Sequence, residues 1–166
     1  MAEGAAEASG TKVLLKTSMG DVTLQLYEDM PITAGNFKKL VEKGFYDGTV
    51  FHRIIDGFMI QGGDQQGTGM GGESIYGKGF GIETSPKVLF DRAGLLAMAN
   101  TGRPNSNGSQ FFITLAPAPH LNGGYTIYGE VTSGMDVVSA IGKVKTDPNN
   151  NKPLTPVVMN KVYLKK

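Results

Sequence analysis

The chain has 166 residues, of which 40% are hydrophobic, and this length fits one domain with a single sizeable core. Sixteen basic and fifteen acidic residues leave a formal net charge of +1, without the concentrated positive charge of a nucleic-acid-binding protein, so no nucleic-acid partner is expected. The chain contains no cysteine, which excludes disulfide bonds and thiolate chemistry.

The first residues, MAEGAAEASG, are small and weakly acidic, and they lack the basic and apolar regions of a signal peptide. No apolar stretch approaches the roughly 20 residues that span a bilayer. We therefore expect a flexible leader over residues 1–11, one domain over residues 12–166, no membrane partner, and a cytoplasmic location with the nucleus as the alternative. Nothing in the sequence requires a dimer, so a monomer is expected.

Alternating apolar residues predict that the domain begins with a β-hairpin over residues 12–28, since Val22, Leu24 and Leu26 follow a turn at residues 18–21. Further strands are predicted near residues 50–55, 58–63, 95–99, 111–115, 127–131 and 156–164, which gives about eight. The 24 glycines, roughly twice the usual share of ~7%, fit many turns between short elements.

Two segments have a helical period instead. The first begins at Pro31, which suits the first position of a helix, and Gly44 ends it. The second covers about residues 133–141 and is followed by Gly142. Many strands and two amphipathic helices predict a mainly β fold: a closed eight-stranded antiparallel β-barrel capped by the two helices.

A single arginine, Arg53, stands in the apolar, strand-like run FHRIIDGFMIQGGD at residues 51–64. A permanently charged guanidinium with its N–H donors is costly to hold against an apolar surface. Two interpretations follow from the run alone. Arg53 either pairs with a carboxylate in a buried salt bridge, or presents hydrogen-bond donors in a dry pocket.

A second run, MANTGRPNSNGSQFFITL at residues 98–115, places a polar loop between two predicted strands, and its Asn and Gly residues tolerate unusual backbone angles. With the stretches SMGDVTLQLYEDMPITAGNF, GTGMGGESIYGKGF and GGYTIYGEV, the two runs resemble the cyclophilin family of peptidyl-prolyl cis/trans isomerases. The resemblance extends from about Val13 to Leu164. Motifs of this length are far more specific than a short pattern match.

The resemblance implies an enzyme that rotates X–Pro peptide bonds in proline-containing peptides and unfolded proteins, and so assists protein folding. No bond is made or broken in this reaction, so neither a cofactor nor a metal is expected. The residues that the resemblance implies to be catalytic are Arg53, Phe58, Gln61 and Asn100, the last through its main chain. Those implied to bind substrate are Met59, Gly69, Ala99, Thr101, Gln110, Phe112, His120, Leu121 and Tyr125.

The chain departs from the family pattern at three positions. His120 stands where most members carry Trp, Tyr125 stands where they carry a pocket His, and Arg103 is a one-residue insertion in a loop. The resemblance implies binding of the cyclic peptide cyclosporin. We expect His120 to weaken this binding, because an imidazole is smaller and more polar than an indole.

Two classes of function stay open. The first is a working isomerase of flexible chains. The second is a proline-directed binding module in a larger assembly, such as the spliceosome, with incidental catalysis, because GTGMGGESIYGKGF is similar to the spliceosome-associated branch of the family. A hollow barrel that carries apolar ligands is disfavoured, since short strands rich in Phe, Met and Ile fill a small barrel.

Two other patterns in the sequence do not indicate a cofactor or metal site. Residues 67–72 satisfy the string G-x-G-x-x-G, but the glycines that follow at once exclude the helix that a dinucleotide site needs. His52 and His120 lack the cysteines and clustered carboxylates of a metal site. His52 is instead expected to point outward from its strand.

Overall fold

The computed structural model of the chain describes residues 11–165, so the predicted leader falls, except for Thr11, outside the described residues. Eight strands close into one antiparallel barrel in the spatial order β1-β2-β7-β5-β6-β4-β3-β8, which confirms the predicted fold. The strands are β1 (Lys12–Thr17), β2 (Gly20–Leu26), β3 (Thr49–Ile55), β4 (Met59–Gly62), β5 (Leu95–Met98), β6 (Phe111–Thr114), β7 (Ile127–Ser133) and β8 (Val158–Lys165), and the helices are α1 (Pro31–Glu42) and α2 (Met135–Gly142).

Side chains fill the interior of the barrel. Alternate residues of a strand point to the same face, and on β1 this places Val13 inside, opposite Leu24 of β2, with both fully buried. Phe37 of α1 meets Phe111 of β6 edge-on with ring centroids 5.4 Å apart, and Tyr46 meets Phe111 in the same way at 5.4 Å. This packed interior argues against a carrier of apolar ligands.

The helices follow the prediction with one shift. α1 begins at Pro31, as predicted, whereas α2 begins at Met135 because β7 continues through Ser133 and Gly134 adopts a φ of 90° between the two elements. A 3-10 helix at Pro119–Leu121 was not predicted, since three residues are too few to show a period. Among the residues described, no helix is long and apolar enough to cross a membrane.

A β-bulge in β3 sets the direction of its side chains. Phe51 pairs with Gly62 of β4, whereas Arg53 pairs with Gln61, so His52 is an extra residue without a counterpart on β4. As a result Arg53 is exposed, although Phe51, two residues earlier, is buried. His52 between them is also buried. The expectation that His52 points outward to solvent is wrong, because the glycine-rich loop at residues 67–81 covers it: a Cβ at Gly69 would lie 3.4 Å from its ring.

Burial changes the protonation of His52. Desolvation lowers the pKa of its imidazole from the usual 6.5, because a buried site disfavours the charged form. The positive charges of Arg53 and Lys152 act in the same direction, while the Asp64 carboxylate and the Gln110 side chain oppose the shift without reversing it. The unfolded chain therefore binds this proton more tightly than the folded chain. The stability contributed by the neutral imidazole is present above pH 6.5 and is lost as the pH falls through the lowered pKa.

We expect the free energy of unfolding, measured by urea denaturation, to fall between about pH 7.5 and about pH 5.5. The substitution His52→Gln should reduce this fall, since glutamine does not titrate. The matched control is His120→Gln, because His120 is the other histidine of the chain and is exposed. Comparison of the two variants shows whether the fall depends on the buried histidine. A His52→Gln variant with the same pH dependence would contradict the assignment.

Candidate functional site

Several predicted site residues surround one hollow on the outer face of the barrel. Met59 and Gln61 lie two residues apart on β4 and point to the same face, and Gln61 pairs with Phe112 of β6. The hollow measures about 260 Å³, below the roughly 300–1,000 Å³ of pockets for drug-sized ligands, so it suits a single side chain. Its lining consists of Arg53, Phe58, Met59, Gln61, Ala99, Asn100, Phe112, Leu121 and Tyr125.

Aromatic contacts fix the floor of this hollow. Phe112 stacks parallel to Phe90 with ring centroids 6.0 Å apart, and Tyr125 meets Phe112 edge-on at 5.6 Å. Both arrangements are favoured by the charge distribution of aromatic rings. Phe90 is absent from the residues predicted from the sequence, because it comes from the long connection between β4 and β5 and no pattern links it to Phe112. Phe90 is itself buried, and it supports the Phe112 ring from below.

Arg53 lies at the edge of the hollow with its side chain exposed. Its Nη1 donates to Oε1 of Gln61 at 3.4 Å, and no carboxylate within residues 11–165 is close enough to form a salt bridge with it. The interpretation as a buried ion pair is therefore wrong. A dry surrounding is also wrong for the free protein, because the bulge turns Arg53 toward solvent.

Hydrogen bonds continue from Arg53 across the site. Nε2 of Gln61 donates to Oε1 of Gln110 at 3.0 Å. Nε2 of Gln110 in turn donates to the carbonyl oxygens of Gly69 and Gly71, at 2.9 Å and 2.8 Å. The two side-chain amides are thus held in one orientation, in which Gln61 presents its oxygen to the guanidinium.

A second hollow adjoins the first and shares Gln61, Ala99 and Asn100 with it. Together the two hollows form a continuous depression along the ends of β4 and β5. Gln110 joins the depression to the glycine-rich loop, which forms part of its wall, through its bonds to the loop carbonyls. The other residues that line the second hollow are Gly69, Met70, Gly71, Gly72, Thr101, Ser106, Gly108, Ser109 and Gln110.

Asn100 uses its side chain within its own loop. Its Nδ2 donates to the carbonyl oxygen of Gly124 at 3.0 Å, and its Oδ1 accepts from the backbone N–H of Gly102 at 2.9 Å. The side chain is thereby occupied on both of its polar atoms. Asn100 lines both hollows, and its predicted main-chain role stays a prediction.

The three departures from the family pattern lie at different places. Tyr125 lines the first hollow. His120 does not: it is exposed on the 3-10 helix, its ring 5.7 Å from that of Phe58, and the next residue, Leu121, lines the hollow instead. Arg103 is exposed in the loop between β5 and β6. Of the site residues predicted from the sequence, all except His120 therefore line one of the two hollows.

Two kinds of site that short patterns in the sequence could suggest lack their structural elements. Within residues 11–165, no group of three or more His, Cys, Asp or Glu side chains could hold a metal ion. No helix begins in the glycine-rich stretch at residues 67–81, so the G-x-G-x-x-G string lacks the structure of a dinucleotide site. The first hollow offers a charged N–H donor beside an apolar surface.

Comparisons with known proteins agree with this geometry. Residues 12–164 match the family model described as cyclophilin type peptidyl-prolyl cis-trans isomerase/CLD. Over 140 residues the chain is 56% identical to peptidyl-prolyl cis-trans isomerase-like 1 of Rhizopus delemar, with 84% of each chain covered. Over 152 residues it is 51% identical to the protein of the same name from Homo sapiens, covering 91% of this chain and 90% of that one.

Among solved structures, a cyclophilin type peptidyl-prolyl cis-trans isomerase of Cryptosporidium parvum is similar to this chain with a TM-score of 0.91 and 39% identity, over 95% of this chain and 98% of that one. The same protein crystallised in the presence of the dipeptide Ala-Pro is similar with a TM-score of 0.90, over 93% and 99% of the two chains. The chain therefore belongs to the cyclophilin-type peptidyl-prolyl cis-trans isomerases.

Proposed function

We propose that Arg53 and the apolar hollow beside it carry out the reaction of the family, the rotation of X–Pro peptide bonds between cis and trans. The observation that carries this proposal is a guanidinium with unused N–H donors at the edge of a hollow that suits one side chain. The related protein crystallised with Ala-Pro supports a proline-containing ligand.

The barrier to this rotation, ~18–20 kcal/mol, comes from amide resonance. At the top of the barrier the bond is twisted, and the prolyl nitrogen becomes pyramidal with a localised lone pair. A donor directed at that lone pair stabilises the twisted state more than the planar ground state, which is the requirement for catalysis. Arg53 suits this role because its guanidinium is always charged and its donors are held in a rigid plane.

The floor of the hollow binds the pyrrolidine ring in this proposal. Phe112, Met59 and Leu121 offer apolar contact, and the ring has no hydrogen bonds to lose on leaving water. A peptide laid across the site also covers Arg53 and removes water from it, which strengthens its interaction with the prolyl nitrogen. Gln61 orients Arg53 and binds the substrate carbonyl.

The second hollow takes the residues that precede proline, with the backbone of Asn100 binding the backbone of the peptide. Because the site recognises a ring and peptide groups, the proposed substrates are flexible and unfolded proline-containing chains. The alternative, a proline-directed binding module with incidental catalysis, uses the same hollows. Turnover of a short X–Pro peptide favours the enzyme, whereas tight stoichiometric capture of one partner without turnover favours the module.

We expect Arg53→Ala to lower kcat/KM on an X–Pro tetrapeptide by about a hundredfold or more. Removing a single donor to the transition state typically costs about 2.7–4 kcal/mol, and each 1.36 kcal/mol is tenfold in rate. Arg53→Lys should not restore the rate, because an ammonium lacks the planar fork. The folded state should persist in both variants, since Arg53 is exposed.

The matched control is Arg92→Ala. Arg92 is also exposed and makes a salt bridge with Glu130 at 2.8 Å, but it lines neither hollow. Its loss should leave kcat/KM within about twofold of the unchanged chain, since exposed ion pairs contribute little. Near-normal turnover in a folded Arg53→Ala protein would refute the proposed mechanism.

We also propose that cyclosporin binds this chain more weakly than it binds relatives with Trp at the position of His120. The expected loss is roughly 1–3 kcal/mol, the cost of a missing partner for a buried polar group. His120→Trp should recover much of the affinity, measured by calorimetry, while kcat/KM changes little because His120 lies outside the first hollow. Tight binding by the unchanged chain, with no gain in His120→Trp, would place position 120 outside the drug site.

A further inference from the structure

Asp64 is a fully buried carboxylate that follows β4 and faces the glycine-rich loop. Its Oδ1 accepts from the backbone N–H of Gln66 at 3.0 Å. Its Oδ2 accepts from the backbone N–H groups of Thr68, Gly69 and Gly71 at 3.2, 2.8 and 3.0 Å, and from the Thr68 hydroxyl at 3.2 Å. Five donors therefore converge on one side chain, and four of them are backbone groups of a single loop.

These hydrogen bonds keep Asp64 ionised. Burial by itself would raise the pKa of this carboxyl, but the donors from Gln66, Gly71, Gly69 and Thr68 outweigh it and hold the pKa below its usual 3.8. Hydrogen bonds to a charged acceptor are about twice as strong as those between neutral groups. The loop is thus bound to a fixed negative charge at neutral pH.

Gln110 also binds the glycine-rich loop, through the carbonyl oxygens of that loop. Gly69 and Gly71 take part in both sets of hydrogen bonds. Their N–H groups donate to Asp64, and their carbonyl oxygens accept from Nε2 of Gln110. The fit is close, because a Cβ at Gly71 would collide with Oδ1 of Asp64 and one at Gly69 would lie 3.4 Å from the His52 ring. A shift of the loop therefore moves the acceptors of Gln110.

Asp64 is thus connected to the guanidinium of Arg53 by hydrogen bonds and by the loop backbone between them. The connection passes through the loop carbonyls to Gln110, from Gln110 to Gln61 at 3.0 Å, and from Gln61 to Arg53 at 3.4 Å. Arg53 has no salt bridge with any residue from 11 to 165 that could hold it otherwise. Its orientation in the free protein thus depends on Gln61 and on what holds Gln61.

We propose that Asp64 is a positioning residue for catalysis: it fixes the carbonyls of Gly69 and Gly71, and through Gln110 and Gln61 it sets the position of Arg53. This inference rests on the proposed function of Arg53. Asp64 itself touches no substrate, since it lines neither hollow. Its effect is therefore transmitted through Gln110, and this route separates positioning from a general contribution to stability.

The test is a double-mutant cycle with kcat/KM on an X–Pro tetrapeptide as the measured quantity. In Asp64→Asn the side chain loses its charge, and its amide nitrogen faces at least the backbone N–H of Gln66, so we expect the loop to shift. We expect a loss between about tenfold and a hundredfold, the scale of a misplacement near 1 Å. Gln110→Leu should cause a similar loss, and the double variant should lose no more than Gln110→Leu alone. Losses that multiply in the double variant would overturn the proposal.

A second measurement does not depend on substrate. In the free protein, the 15N–1H resonance of the Arg53 Nε–H group should shift in Asp64→Asn. It should also shift in Gly71→Ala, whose new methyl group displaces the carboxylate without changing charge. Gly35→Ala is the control, because a Cβ there meets only the Tyr76 hydroxyl at 3.9 Å. If Asp64→Asn does not fold, Gly71→Ala decides: an unmoved Arg53 resonance would overturn the proposal.

The assays distinguish a failure of the catalytic role of Arg53 from a failure of the positioning role of Asp64. If Arg53→Ala keeps normal turnover in the same assay, the proposed function of Arg53 is refuted, whatever Asp64 does. If Arg53→Ala is inactive while the losses in Asp64→Asn and Gln110→Leu multiply, Arg53 keeps its role and only the positioning role of Asp64 is refuted. Thermal unfolding of each variant identifies any loss of activity that comes from unfolding.

Discussion

The β-bulge at His52 is the constraint on which the rest of the site depends. One extra residue in β3 shifts the pairing with β4, so that Arg53 lies on the outside opposite Gln61. Without the bulge, strict alternation would place Arg53 on the same face as Phe51, inside the barrel. The bulge thus allows the permanently charged Arg53 to stand on a strand whose residues Phe51 and Ile54 are buried in the core.

Consecutive residues of strands β4 and β6 point alternately into the barrel interior and toward the predicted site. On β6, Phe111 is fully buried in the barrel interior, while Phe112, on the opposite face, forms the floor of the hollow. On β4, Ile60 belongs to the interior, and its neighbours Met59 and Gln61 face the site. Because the interior is closely packed, the backbone that carries the outward side chains is held in place by the barrel. The predicted site therefore lies mainly on strands and not on loops alone.

Much of the fold could be predicted from the sequence, because the interior follows a simple period. Alternation at Val22, Leu24 and Leu26 identifies a strand, and the predicted bounds of the strands and helices fall within about two residues of those observed. The site residues came from resemblance to a family, and the structure brings all of them except His120 to the two hollows. Their roles in catalysis stay predictions.

What the sequence could not supply depends on contacts between distant parts of the chain. The outward direction of Arg53 follows from a pairing shift against β4, and the burial of His52 follows from the glycine-rich loop that covers it. No local pattern reveals either. Phe90 supports Phe112 from a connection without regular structure, and Asp64 gains its importance from the donors that fold back over it. An isolated Asp after two glycines gives no sign of this. Local periodicity predicts elements, whereas long-range packing decides which polar groups meet.

The position of the hollows on the outside of a closed barrel has a consequence for the kind of chain that can be handled. A closed barrel has no free edge and no interior passage, so a polypeptide need not thread through it or pair with it as an additional strand. The surface depression formed by the two hollows is reached from the side. With substrate bound in these hollows, as proposed, a proline in the middle of a long chain could be reached as readily as one near a terminus, and the segments on either side could keep whatever structure they already have.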